Sequence, residues 1–140
     1  MPLIEEELSA GHNVRFSPSG ISMLPMLKEG RDSVVLSPIC GKLKIYDLPL
    51  YRRPNGQYIL HRVVKVRDTY TCIGDNQYYN ETGVEHRQMI AVVTSFYRKN
   101  KEIHTNNLLY QLYCRLWHYS RPIRHLYIRG IRWLWRHIKQ

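Results

Sequence analysis

As far as about residue 100, the apolar positions of the chain fall into short runs broken by turn-forming residues. Residues 3–10 (LIEEELSA) predict a short helix ended by Gly11, and residues 14–17 predict a strand that leads into Ser17-Pro18-Ser19-Gly20. Residues 33–37 (SVVLS), 48–51, 58–66 (YILHRVVKV), 70–73 and 89–97 (MIAVVTSFY) read as strands from their β-branched and aromatic content. Pro54-Asn55-Gly56 is a hairpin turn between two of these runs, and Gly74-Asp75-Asn76 is a second turn. Closely spaced strands with little helix between them predict a mainly β, largely antiparallel fold.

Past residue 101 the alternation gives way to helical spacing. Tyr127, Ile131, Leu134 and Ile138 share one face, and Arg129, Arg132, Arg136 and Lys139 share the other. Ser120-Arg121-Pro122 separates two helices, because proline is tolerated at a helix start but not in its interior. The sequence thus divides into residues 1–102, a β-rich domain, and residues 103–140, a basic, aromatic-rich helical segment.

Charge sharpens that division. Of a net charge of +10, Arg115, Arg121, Arg124, Arg129, Arg132, Arg136 and Lys139 supply +7, and residues 103–140 contain no Asp or Glu. Such an excess points to an anionic partner. Two readings of the segment stay open. Its apolar face, with Trp117, Trp133 and Trp135, packs on the sheet and leaves the arginines in water, or it lies on an anionic membrane surface with the arginines at the headgroups. Nucleic acid ranks third, since no recognised nucleic-acid module is present.

A chain of 140 residues with 44% apolar content suits one compact domain with a real core. Three widely separated cysteines, Cys40, Cys72 and Cys114, form no CxxC pair, so neither a zinc site nor a disulfide framework is indicated, and no cofactor is expected. The first fourteen residues lack the basic-then-apolar pattern of a signal peptide, and no apolar run reaches spanning length. The expected location is the cytoplasm, with peripheral attachment at the inner membrane face under the second reading of the tail.

Three islands carry candidate chemistry: Ser19-Gly20-Ile21-Ser22-Met23-Leu24-Pro25, His61-Arg62-Val63-Val64 and Gly74-Asp75-Asn76. A serine hydroxyl needs a base within hydrogen-bond reach to become a nucleophile. Histidine suits that role because its pKa lies near neutrality. A Gly- and Pro-rich turn can expose the hydroxyl and aim backbone N–H groups at an oxyanion, and a carboxylate can fix the tautomer of the base. Read singly, each island has an ordinary structural explanation: a turn serine, a packed strand histidine, a turn aspartate.

Taken in order, Ser-Gly-x-Ser-Met-x-Pro, Tyr-Asp-Leu, His-Arg-Val and Gly-Asp-Asn resemble the signal-peptidase-I/LexA superfamily of serine peptidases, over residues 17–93. The resemblance implies a LexA/signal-peptidase-like antiparallel β fold and a serine endopeptidase that cleaves a peptide or leader segment. Ser22 would be the nucleophile and His61 the general base, as in the Ser-His members. Asp75 would orient His61, with Glu81 as the alternative carboxylate. Oxyanion donors would be the Ser22 N–H with a neighbour among residues 19–21, the Ser19 side chain included; Gly20 and Met23 would shape and line the cleft. Lys65 lies on the strand face of His61 but about 13 Å away at strand rise, too far to serve as base. Neither a spanning helix nor a DNA-binding domain is expected ahead of Ser22, so the sequence matches neither a standard signal peptidase nor a repressor. The competing reading is a catalytically inactive module on the same fold that binds peptides or a membrane surface.

Overall fold

A computed structural model of the chain describes residues 2–20, 22–77 and 79–138, apart from the side chains of Pro2, His125 and Ile128. The chain opens with helix α1 (Pro2–Ser9), then strands β1 (Val14–Phe16), β2 (Asp32–Ser37), β3 (Pro49–Arg52), β4 (Tyr58–Leu60), β5 (Arg62–Val66), β6 (Tyr70–Ile73) and β7 (Glu81–Val84). A 3₁₀ turn at His86–Gln88 leads to β8 (Met89–Arg98), β9 (Lys101–His104), α2 (Leu108–Tyr119) and α3 (Arg121–Ile138). Every strand pairing is antiparallel. Mainly antiparallel β architecture with C-terminal helices is therefore what this sequence forms.

The larger sheet is built on β8, the longest strand. One side of β8 pairs with β2, from Val92 opposite Ser37 to Arg98 opposite Asp32. Its other side is shared in succession by β3, at Met89 to Val92, and β9, at Ser95 to Arg98. Beyond these, β1 extends the sheet past β2, and β4 extends it past β3. A second sheet of β5, β6 and β7 stands apart from it.

Strand alternation sends neighbouring side chains to opposite faces, and two cores result. On β3, Leu50 joins a core with Leu8, Met23, Leu27, Val34, Leu36, Val93 and Phe96, whereas Tyr51 joins Val63, Tyr70, Cys72 and Val84. The larger sheet thus carries one core on each face.

Residues 58–66 do not form the single strand expected of them. The run breaks at His61, where the chain leaves the larger sheet and enters the smaller one, and Val63 exchanges backbone bonds with Tyr46 and Asp47 (2.7 and 2.9 Å). A strand that changes sheets in this way makes a corner, and the corner residue is the candidate base. Two strands were not foreseen. β7 includes Gly83 at φ +72°, beside a register shift against β6. β9 follows a tight turn at Lys99-Asn100, both at positive φ, where Asn-Gly or Asp-Gly would have been the recognisable signal.

The division at residue 102 falls within β9, and α2 continues into the first core through buried Tyr110 and Cys114. α2 begins at an Asn107 cap whose side chain accepts the N–H groups of Leu109 and Tyr110. α3 differs sharply: Ile123, Leu126, Tyr127 and Ile138 are each at least 66% exposed, so its apolar face does not pack on the sheet. Lys139, placed by sequence on its basic face, lies outside the described residues. Among the described residues no helix is long and apolar enough to cross a membrane.

Candidate active site

Ser22 sits in the turn-rich stretch between β1 and β2, where Gly20 takes a φ of +89°. Immediately after Ser22 the Leu27 N–H donates to the Met23 carbonyl (3.0 Å), and the Leu24–Pro25 peptide is cis. Met23 is buried and anchors the turn in the first core. His61 arrives from the corner between the sheets. Ser22 and His61 both line one cleft of about 300 Å³, together with Ser19, Gly20 and Met23 from the turn and Tyr58, Ile59 and Leu60 from β4. The structure thus brings the first two islands to one cavity.

The third island meets Ser22 from behind. The Asn76 N–H donates to the Ser22 carbonyl (2.8 Å), and the Asp75 N–H lies 3.4 Å from the Met23 sulfur. Gly74 is packed so closely that a Cβ there would stand 2.5 Å from the Ser22 carbonyl oxygen. Glycine is required at this position by close approach of backbone to backbone, not by a special φ. Gly74-Asp75-Asn76 is therefore a clamp on the backbone of the serine turn.

The Asp75 side chain turns away from His61. Its Oδ1 and Oδ2 accept from Nε and Nη2 of Arg62 (2.9 and 3.0 Å), Oδ2 accepts from the Tyr113 hydroxyl (2.8 Å), and Oδ1 lies 2.9 Å from Nε2 of His118. Nη1 of Arg62 faces the Tyr46 carbonyl, the Tyr110 hydroxyl and the Cys114 sulfur. Burial pushes the Asp75 carboxyl upward, but the Arg62 charge and the His118 bond outweigh it and hold the pKa far below the usual carboxylate range. The indole N–H of Trp117 donates to the Asp75 carbonyl (2.7 Å). On His118, Nδ1 faces Arg121, which can only donate, so Nε2 carries the proton toward Asp75. A neutral His118 agrees with a pKa lowered by burial.

Glu81 is held elsewhere too. It accepts from the Tyr51 hydroxyl (3.0 Å) and from Nη2 of Arg53 (2.7 Å), and these bonds outweigh burial to keep its pKa low. Neither carboxylate hydrogen-bonds His61, whose buried Nδ1 has no partner among the described residues. An orienting contact from Asp75 or Glu81 is corrected on that ground: each already has an arginine for its charge. Glu81 acts on the imidazole only through space. Burial lowers the His61 pKa to about 4, and the Glu81 charge opposes the shift in part. His61 is thus neutral at pH 7, the form that can accept a proton.

Of the expected oxyanion donors, the Gly20 N–H is directed to Glu29 Oε2 (3.1 Å), and Ile21 lies outside the described residues. Glu29 itself lines the cleft. Neither Glu29 nor the Arg62–Tyr113–His118 cluster was foreseen, and the spacing of Tyr113 and His118 along the chain gives no sign of it. Among the described residues no group of three His, Cys, Asp or Glu side chains converges as metal ligands would.

Comparison with known proteins gives no match to a family model, to a curated protein or to a solved structure.

Proposed function

We propose that the chain is a serine endopeptidase of the signal-peptidase/LexA-like type, working with a Ser22–His61 dyad on an extended peptide or leader segment. The observation that carries the reading is the shared cleft: a turn serine and a neutral corner histidine, distant in sequence, line one cavity. In the proposed reaction the Ser22 hydroxyl oxygen attacks the peptide carbonyl carbon while its proton passes to the His61 imidazole. The imidazolium then protonates the departing amine as the C–N bond breaks, leaving an acyl-serine. Water activated by His61 hydrolyses that ester and restores Ser22.

Further support comes from the cleft walls. β4 is the last strand of the larger sheet and supplies Tyr58, Ile59 and Leu60, so an extended peptide has a strand edge beside it to pair with. The order of the three motifs and the two-sheet antiparallel architecture support the finer family reading.

Labelling with a fluorophosphonate probe tests the proposal. Wild-type protein should be labelled, Ser22→Ala should not, and His61→Ala should lose about 10²–10⁴-fold in labelling rate. Equal labelling of Ser22→Ala would refute the dyad. The unpartnered Nδ1 of His61 favours a second reading, a peptide-binding module without catalysis; it requires a peptide bound by wild-type protein and never cleaved.

A further inference from the structure

Helix α2 has two apolar faces. Tyr110, Tyr113, Cys114 and Trp117 lie toward the domain, and Leu109, Leu112, Leu116 and Tyr119 lie in solvent. The exposed face does not stop at the end of α2. Helix-type backbone bonds cross the junction, from Ser120 N–H to the Leu116 carbonyl (3.0 Å) and from Arg124 N–H to the Ser120 carbonyl (2.9 Å). Ile123, Leu126, Tyr127, Ile131, Leu134 and Ile138 therefore continue the same stripe at three- and four-residue steps, all exposed. With 12 and 18 residues, the two helices extend the stripe for about 45 Å.

The charge of the same helix selects the occupant. At 100° per residue, Arg129, Arg132 and Arg136 project opposite the centre of the stripe, all exposed, while Trp133 and Trp135 fall on its two borders, 55% and 59% exposed. Arg124 is already committed, stacked 3.4 Å over Trp117. Residues 103–140 hold no Asp or Glu, so a second copy seated on the stripe would leave these arginines on the outer faces of the pair with nothing in the segment to match their charge. An anionic bilayer surface satisfies both halves at once: acyl chains receive the stripe, interfacial indoles border it, and phosphates meet the arginines.

We propose that α2 and α3 form an interfacial helix that seats this protein on an anionic membrane surface, lying in the plane of the headgroups. The proposal is independent of the peptidase reading. The test uses the full chain with vesicles of phosphatidylglycerol and phosphatidylcholine, and with phosphatidylcholine alone, at low and high salt. The protein should sediment with the anionic vesicles at low salt, with a blue shift in tryptophan emission, and be released by salt or by neutral lipid. The double variant Leu126→Glu, Leu134→Glu should reduce binding by about a hundredfold or more, since two leucines lose their burial in the acyl region. Each of Arg129→Gln, Arg132→Gln and Arg136→Gln should weaken it by about fivefold. All five side chains are exposed, so far-UV circular dichroism and the thermal midpoint should not change. Absence of binding to anionic vesicles overturns the proposal, as does equal binding to neutral ones. A lipid-free dimer dissolved by the leucine variant would assign the stripe to a second copy instead.

Discussion

The cleft around Ser22 and His61 and the buried cluster around Arg62 and Asp75 start from adjacent residues, yet they treat polar groups in opposite ways. Arg62 is fully buried, and each of its terminal nitrogens meets an acceptor, with both Asp75 oxygens matched to its fork. His61 is 5% exposed, and its Nδ1 finds no partner among the described residues. One environment satisfies its charges and holds three elements together: β5, the Gly74-Asp75-Asn76 turn and α2. The other leaves an imbalance, of the kind expected where a group is held for chemistry and not for structure, as the proposed dyad requires. The two are also joined, because the turn that supplies Asp75 to the cluster grips the Ser22 carbonyl with its next residue.

Removing one partner of the cluster should have the largest effect. Asp75→Ala strands a buried guanidinium and should cost about 3–5 kcal/mol in urea unfolding at neutral pH. A loss under about 1 kcal/mol would mean that the cluster is not the unit described. The pH dependence carries a definite sign. Asp75 has a folded pKa below its unfolded value, so its contribution is present above about pH 4 and is lost as pH falls toward the lower folded pKa.

His61 should give the next largest effect, in a different pH window. Its folded pKa, about 4, lies below the ordinary 6.5, so the unfolded chain binds more protons between those values. Stability is full above about pH 6.5 and falls as pH drops toward 4. At about 1.4 kcal/mol for each pH unit, the fall amounts to roughly 3 kcal/mol. His118 slopes the same way, since its pKa is also lowered. The difference between wild-type and His61→Leu urea midpoints, followed from neutral to mildly acidic pH, isolates the His61 share. Parallel curves would show that His61 is not desolvated as described.

What the sequence disclosed follows the range of the interactions. α1 with its Gly11 stop, β2, β8 and the break before Arg121 are decided by local pattern and turn chemistry, and each was legible. The corner at His61 was not, because β-branched residues run on either side of it and only the pairing of β5 with β6 draws the chain away. For the candidate site, Ser22 and His61 could be named from motif order, and so could the Gly-Asp-Asn turn, though not its role. Asp75 was expected beside His61 because both belong to one pattern. It faces Arg62 instead, since a full positive charge in the core competes better for a carboxylate than a neutral imidazole does. No period or spacing reveals that Tyr113 and His118 complete that cluster from α2.

The smallest expected effect tests the joint between the two regions. Gly74→Ala adds one methyl group, 2.5 Å from the Ser22 carbonyl oxygen and 3.1 Å from the Gln77 side chain. Gln77 can swing aside, but the Ser22 carbonyl belongs to backbone that Asn76 holds by its N–H, so one of the two turns must shift. Overpacking of this kind costs about 1–3 kcal/mol. Displacing a nucleophile by about 1 Å costs on the order of 10²-fold in rate, so under the proposed dyad probe labelling of Ser22 should fall by about that factor. Gly130→Ala is the matched control, because a Cβ there meets nothing within 4 Å, and alanine in a helix should gain up to about 1 kcal/mol. If Gly74→Ala unfolds and labels like wild type, the turn does not grip the serine, and the cleft and the cluster are independent structures that share only a stretch of chain.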